Sequence, residues 1–229
     1  MHSQTANPKY WYIRSNQLFE QLSDDDYKEL DWIANFKACK KNEFLYMPEE
    51  DHRKVYSIKE GFVKIGMYDE SGSEIILDIL KKGDWFGEIT LGAAKRGSEF
   101  AMAMANDTIL CNFNSKNLEE IFHKKPELAI RFTKKIGVQQ LSLTRRFSSI
   151  IFKDARQRLI DFFKEQVVIS GIEEIMNIEL TNYLTHQDVA SLNGLARQTV
   201  STLLGQFKEE GILDFDRKKI FIANLKNLK

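Results

Sequence analysis

The chain has 229 residues, with 33 lysines and arginines against 33 aspartates and glutamates and 43% hydrophobic content. This is the balance of a folded protein of one or two domains, and zero net charge excludes whole-chain attraction to nucleic acid, so any DNA-binding claim must rest on a local surface. No apolar run nears the roughly 20 residues that span a bilayer. The first residues lack the pattern of a secretory signal, and Cys39 and Cys111 are too few for a disulfide framework, so a reducing cytoplasm is expected.

The stretch Asn16 to Ala38 reads as helical, with Ser23 placed to cap "DDDYKELDWIA". Asp24, Asp25 and Asp26 then lie where carboxylates favour the helix dipole, which explains them without a metal. From about Phe44 to Phe113 the texture changes to period two. Val63, Ile65 and Met67 alternate with polar or small residues, as do Ile75, Leu77 and Ile79, then Ile109, Cys111 and Phe113. Turn chemistry breaks the runs at Asp69–Ser73, Lys82–Asp84 and Ala105–Asp107. Short strands at even spacing predict an antiparallel barrel or jelly roll.

A long helix is predicted from Pro126. Glu127 to Phe152 holds one glycine and no proline, and a helix of that length reaches roughly 39 Å. Leu128, Phe132, Ile136, Leu143, Phe147 and Ile150 recur at helical spacing, and Ile130, Val138 and Leu141 form a second stripe. One stripe can cover the barrel; the other requires a different partner, and a second copy of the helix is the simplest. The first set of six is the expected dimer seam. The expected domains are residues 1–125, a long helix at 126–152, and residues 153–229.

The C-terminal part carries helical segments at Ala155–Lys164 and Thr185–Glu210, then "GILDFDRKKIFI". That last piece predicts a β-hairpin with the basic tip Asp216-Arg217-Lys218-Lys219. Within "LTHQDVASLNGLARQTVSTLLGQF", Thr185 can cap a first helix with Asp188 as its reciprocal partner. Ala190 is small where helices cross, Gly194 suits a left-handed helix end, and Gly211 stops the second helix. Val200, Leu203, Leu204 and Phe207 bury one face of that helix. Arg197 and Ser201 lie one turn apart, as do Gln198 and Thr202, so all four can point outward. This is the pattern of a helix-turn-helix, whose second helix enters the DNA major groove. Arginine suits guanine and glutamine suits adenine. Thr185 and His186 at the first helix, and Arg217, Lys218 and Lys219 in the hairpin, are candidate phosphate contacts.

The order of barrel, long helix, helix-turn-helix and wing resembles the cyclic-AMP receptor, or Crp/Fnr, family of bacterial transcription regulators. "KEGFVKI", "GDWFGEITL", "DARQRLIDFF" and "LARQTVSTLL" carry the resemblance, which covers the chain from about Asn16 onward. It implies an α+β fold with an N-terminal cyclic-nucleotide-binding-like jelly-roll barrel, a long dimerisation helix and a C-terminal winged helix-turn-helix. It also implies a homodimer on a near-palindromic double-stranded operator, RNA polymerase as a partner, and no membrane.

Departures from the family matter as much. Gly87 and Glu88 match the family's ribose-binding step. Where an Arg-Ser/Thr-Ala step binds the cyclic phosphate, equal spacing gives Ser98-Glu99-Phe100. A carboxylate about 4 Å from a phosphate, at an effective dielectric near 20, repels it by about 4 kcal/mol. Arg96 lies two residues earlier and would need a loop shift to help. Leu143 and Thr144 match the hydroxyl pair that receives adenine, so half of it is missing. Cyclic AMP is therefore not expected as effector; the tentative pocket is Gly87, Glu88, Ser98, Glu99, Leu143 and Thr144, its ligand unknown. No cofactor is predicted. Two cysteines cannot hold a [4Fe–4S] cluster, and His2, His52, His123 and His186 lack a haem-binding setting. No hydrolase, zincin or P-loop motif is present, so an enzyme is not expected. The alternative is a small-molecule-binding module that has lost specific DNA binding.

Overall fold

Period-two alternation does produce a double sheet. The computed structural model describes residue 13 and residues 16–19, 22–48, 53–91, 98–170 and 172–228. Chain contacts divide into two compact units, Met1–Gln140 and Leu141–Lys229.

In the first unit the described strands are β1 (Asn35–Cys39), β2 (Phe44–Tyr46), β3 (Lys54–Glu60), β4 (Val63–Tyr68), β5 (Glu74–Leu80), β6 (Trp85–Gly87), β7 (Glu99–Ala103) and β8 (Thr108–Asn114). They form two four-stranded sheets, β1-β8-β3-β6 and β2-β7-β4-β5. Every pairing is antiparallel. Strand β3 shows why both layers hold: Tyr56 and Ile58 face the barrel interior, while Val55 packs under the helices. Inside, Tyr56 stacks on Phe86 with ring centres 4.9 Å apart. On the helical side Trp85 meets Phe113 at 6.0 Å and Phe132 edge-on at 5.3 Å.

Helix α1 (Asp24–Ile33) starts as its sequence predicts. The Asp26 amide donates to the Ser23 hydroxyl at 3.3 Å, and the Ser23 amide donates to the Asp26 carboxylate at 3.1 Å. It ends earlier than predicted. Residues Asn35–Cys39 are strand β1, in register with β8 from Asn35↔Asn112 to Cys39↔Thr108. A partner 70-odd residues away overrides the local helical look, so the barrel begins at Asn35 and not at Phe44.

Helix α2 (Ser115–Lys124), not predicted, is capped by Asn114 and buries Leu118, Ile121 and Phe122. Helix α3 (Pro126–Phe152) is the expected long helix. The first predicted stripe splits between core and surface, so the assignment of the dimer seam needs correcting. Leu128 and Phe132 are 0% and 5% exposed, and Ile136 packs beside them in the core under the β1-β8-β3-β6 sheet. These three cover the barrel and are not available to a second copy. Val138, Leu141 and Phe147 are 63%, 57% and 65% exposed, and Ile130, Leu143 and Ile150 are exposed with them. Gln139 fixes the helix to the sheet: its carbonyl accepts the Trp85 amide at 3.1 Å and its amide donates to the Trp85 carbonyl at 3.0 Å.

The second unit contains the C-terminal part of α3, then α4 (Ala155–Ser170), β9 (Met176–Thr181), α5 (His186–Leu192), α6 (Arg197–Glu209), β10 (Leu213–Phe215) and β11 (Lys219–Asn224). The contact division between the units falls inside the long helix, between Gln140 and Leu141. The three strands pair in the order β10-β11-β9. Helix α4 runs past the predicted Lys164, and β9 is an addition to the predicted hairpin. Ile178 and Leu180 bury its inner face. Leu159, Ile160, Phe163, Val189, Val200 and Phe207 lie within the unit, at most barely exposed.

Candidate nucleic-acid interface

Helix α5 is set by its first turn. The Thr185 hydroxyl accepts the Asp188 amide at 3.2 Å, and the Thr185 amide donates to the Asp188 carboxylate at 2.7 Å. Gly194 turns the chain with φ of +60°, the left-handed region glycine adopts most cheaply. The Leu195 amide then reaches back to the Ala190 carbonyl at 2.9 Å. Arg158 of α4 braces this turn, donating from Nη1 to the carbonyls of Asn193 at 2.8 Å and Gly194 at 3.3 Å. The sequence pattern did not point to Arg158, because the bond joins residues 35 and 36 positions apart.

Helix α6 splits into two faces. Val200, Leu204 and Phe207 are buried, while Leu203 is half-buried. Arg197, Gln198, Ser201 and Thr202 are all exposed. The four predicted readers therefore share one open face. His186, half-buried on α5, approaches it: its Nδ1 lies 2.8 Å from the Ser201 hydroxyl, and its ring centre is 5.2 Å from that of Phe215 in β10. Burial, then the positive charge of Arg197, hold the His186 imidazole below its usual value. Thr185 is exposed beside it.

The wing is a tight hairpin. The Asp216 amide donates to the Lys219 carbonyl at 2.9 Å. Asp216 Oδ1 accepts the amides of Lys218 at 2.6 Å and Lys219 at 2.8 Å, which draws the carboxyl below its usual range. Arg217 and Lys218 project, exposed, at the tip. Lys219 is exposed too, but its ammonium pairs with Glu179 of β9 at 2.6 Å, which raises its pKa. Of the three predicted phosphate contacts, Lys219 thus carries a competing internal partner.

The predicted effector residues divide between the two units. Gly87 has φ of +89°, and a Cβ there would run into the Lys54 carbonyl. Glu88 is buried, and its carboxylate accepts the Thr90 hydroxyl, a partner the motif did not show. Glu99 is half-buried on β7 opposite Met67, and Ser98 is exposed. Arg96 lies outside the described residues, as do His2 and His52. Leu143 and Thr144 are exposed on α3 and belong to the second unit.

A winged helix-turn-helix on the same chain as a double-sheet jelly roll and a long helix defines a class, the DNA-binding regulators of transcription. Residues 36–125 match the cyclic nucleotide-binding domain family, and residues 157–229 match the Crp-like helix-turn-helix domain family. The global nitrogen regulator of Synechocystis sp. is 25% identical over 181 residues, 79% of this chain and 80% of the relative. The fumarate and nitrate reduction regulatory protein of Escherichia coli is 25% identical over 200 residues, 86% and 79% of the two chains. A CooA variant from Carboxydothermus hydrogenoformans superposes with a TM-score of 0.71 at 28% identity, covering 91% of this chain and 90% of that one. FixK2 from Bradyrhizobium japonicum, at 22% identity, shares the fold with a TM-score of 0.73 over 86% and 96%. The chain belongs to the Crp/Fnr family of transcription regulators. Members of this family bind DNA, act as dimers and are not enzymes. Among the described residues no helix is long and apolar enough to cross a membrane.

Proposed function

We propose that two copies of this chain, joined along the exposed stripe of α3, bind a near-palindromic operator with one α6 in each of two successive major grooves. Arg197 reads a guanine and Gln198 a neighbouring adenine, with Ser201 and Thr202 beside them. Thr185, His186, Arg217 and Lys218 lie against phosphates, which position the helix without reading sequence. The observation that carries this reading is the split of α6, with four polar readers open on one face and Val200, Leu204 and Phe207 sealed on the other.

Regulation acts through RNA polymerase at the bound promoter. The barrel takes an effector other than cyclic AMP, or none. Glu99 supports this, because it brings a carboxylate to the strand position where relatives that bind cyclic nucleotides need a cation.

Fluorescence anisotropy of the purified chain with duplex from upstream of its own gene tests the core of the reading. Saturable binding is expected, displaced by random duplex only at about a thousandfold excess. Equal affinity for upstream and random DNA would leave a protein that holds phosphates without reading bases.

A further inference from the structure

His186 and Ser201 join the first helix of the motif to the second. The His186 Nδ1 lies 2.8 Å from the Ser201 hydroxyl oxygen, and the ring centre lies 5.2 Å from that of Phe215. Ser201 is exposed on the face that carries Arg197, Gln198 and Thr202. A hydroxyl has one proton to give, and a histidine nitrogen either donates or accepts. The direction of this one bond therefore decides what Ser201 has left for a base.

Burial, then the charge of Arg197 on α6, keep the imidazole below its ordinary value, so the ring of the free chain is neutral above about pH 6.5. The carboxylates of α5, of β10 and of its turn are engaged with other groups. Asp188 holds Thr185, Asp214 pairs with Lys208 at 2.8 Å, and Asp216 accepts the amides of Lys218 and Lys219. With Nδ1 turned to Ser201, Nε2 is the nitrogen left for a phosphate. A phosphate oxygen accepts, so it selects the neutral ring whose proton sits on Nε2. Nδ1 then presents a lone pair and accepts the Ser201 proton.

We propose that His186 is a specificity-determining residue, setting whether Ser201 accepts from a base or donates to one. The proposal rests on the reading of α6 as the helix that meets base edges. With the neutral ring Ser201 offers only lone pairs, which suit adenine N6 and cytosine N4, the donors of the major groove. A second proton puts N–H on both ring nitrogens. Nδ1 then donates to Ser201, and the hydroxyl proton turns outward, toward guanine O6 or N7 or thymine O4. A neighbouring phosphate favours the charged ring, which brings the exchange closer to neutral pH.

The test is fluorescence anisotropy of the full chain with the upstream duplex and its single-base variants. It is run at about pH 8 and about pH 5.5, on either side of the ordinary imidazole value. Ser201→Ala identifies the base pair in question, as the position in each half-site where preference flattens. There wild type at the higher pH should favour adenine or cytosine by about fivefold, as for one ordinary hydrogen bond. At the lower pH that preference should vanish or pass to guanine or thymine. The position read by Arg197, which does not titrate, should keep its preference. His186→Phe keeps a ring against Phe215 and gives up both nitrogens. It should bind all variants more weakly, with preferences that do not move with pH. If neither Arg197→Ala nor Ser201→Ala changes any preference, α6 is not the reader and the proposal falls with that reading. The proposal alone is overturned if Arg197→Ala relaxes a position and Ser201→Ala relaxes none. It is also overturned alone if the Ser201 position favours guanine or thymine at the higher pH, is the same at both pH values, or shifts as much in His186→Phe as in wild type.

Discussion

Arg197 and Lys218 are both exposed cations of the second unit, and their geometry gives them different tasks. Arg197 stands at the start of a rigid helix, so its fork can be aimed at a base edge. Arg197→Ala should weaken binding by roughly 1–3 kcal/mol and relax preference at one base pair per half-site. Lys218 sits at a turn tip, where Lys218→Ala should weaken all sequences alike and flatten the salt dependence. A series of single-base operator variants measured with both mutants separates the two; uniform weakening by Arg197→Ala would show that α6 is not the reader. His186 adds a pH response. Its folded pKa is depressed, so the folded chain takes up that proton at lower pH than the unfolded chain. Its stabilisation is complete above the ordinary value of about 6.5 and is lost as pH falls through the folded value. Urea midpoints should therefore drop between about pH 7.5 and about pH 5.5, and His186→Asn should drop less. An equal drop in both would place the titration elsewhere.

At the scale of elements, what could be read from the sequence was what depends on neighbours in the chain. The caps at Ser23 and Thr185 depend only on residues within one turn, and both formed as expected; the reciprocal bond from Asp188 was expected too, while that from Asp26 is an addition. Thr185→Ala should cost about 1 kcal/mol of unfolding free energy in denaturant titration; a loss near zero would mean the cap contributes nothing to the fold. Strand β1 was hidden because its partner β8 is remote and its own five residues are too few to show a period. Strand β9 was hidden likewise, its partner β11 lying some 40 residues on. On α3 both stripes were visible, but which one covers the barrel depends on where Trp85 and Phe113 stand. Phe132 meets Trp85, and so Leu128, Phe132 and Ile136 turn inward.

At the scale of the whole molecule, the exposed stripe and the reading face combine into one geometric demand. Two recognition helices related by a two-fold axis should lie about 34 Å apart. Inserting about five base pairs between half-sites should then abolish tight binding, because the second half-site rotates to the far side of the duplex. Retained affinity would mean the copies bind independently. Leu141→Asp should give a monomer by light scattering, since a charge there would be buried without a partner. A dimer of unchanged affinity would move the interface off α3. Calorimetry with cyclic AMP should show no binding at about micromolar concentration, given the repulsion expected from Glu99. The expected members of the effector pocket come from both compact units, and no pattern local in the chain joins residues so far apart.

Arg158 carries a consequence for genetics. It belongs to neither α6 nor the wing, yet it grips the two carbonyls of the turn that fixes where α6 begins. Alleles at position 158 should resemble recognition-helix alleles in a reporter strain. Their suppressors should differ: lower growth temperature, or second-site changes that stiffen the Asn193–Gly194 turn, should restore Arg158 alleles. Arg197 alleles should yield only to compensating changes in the operator itself.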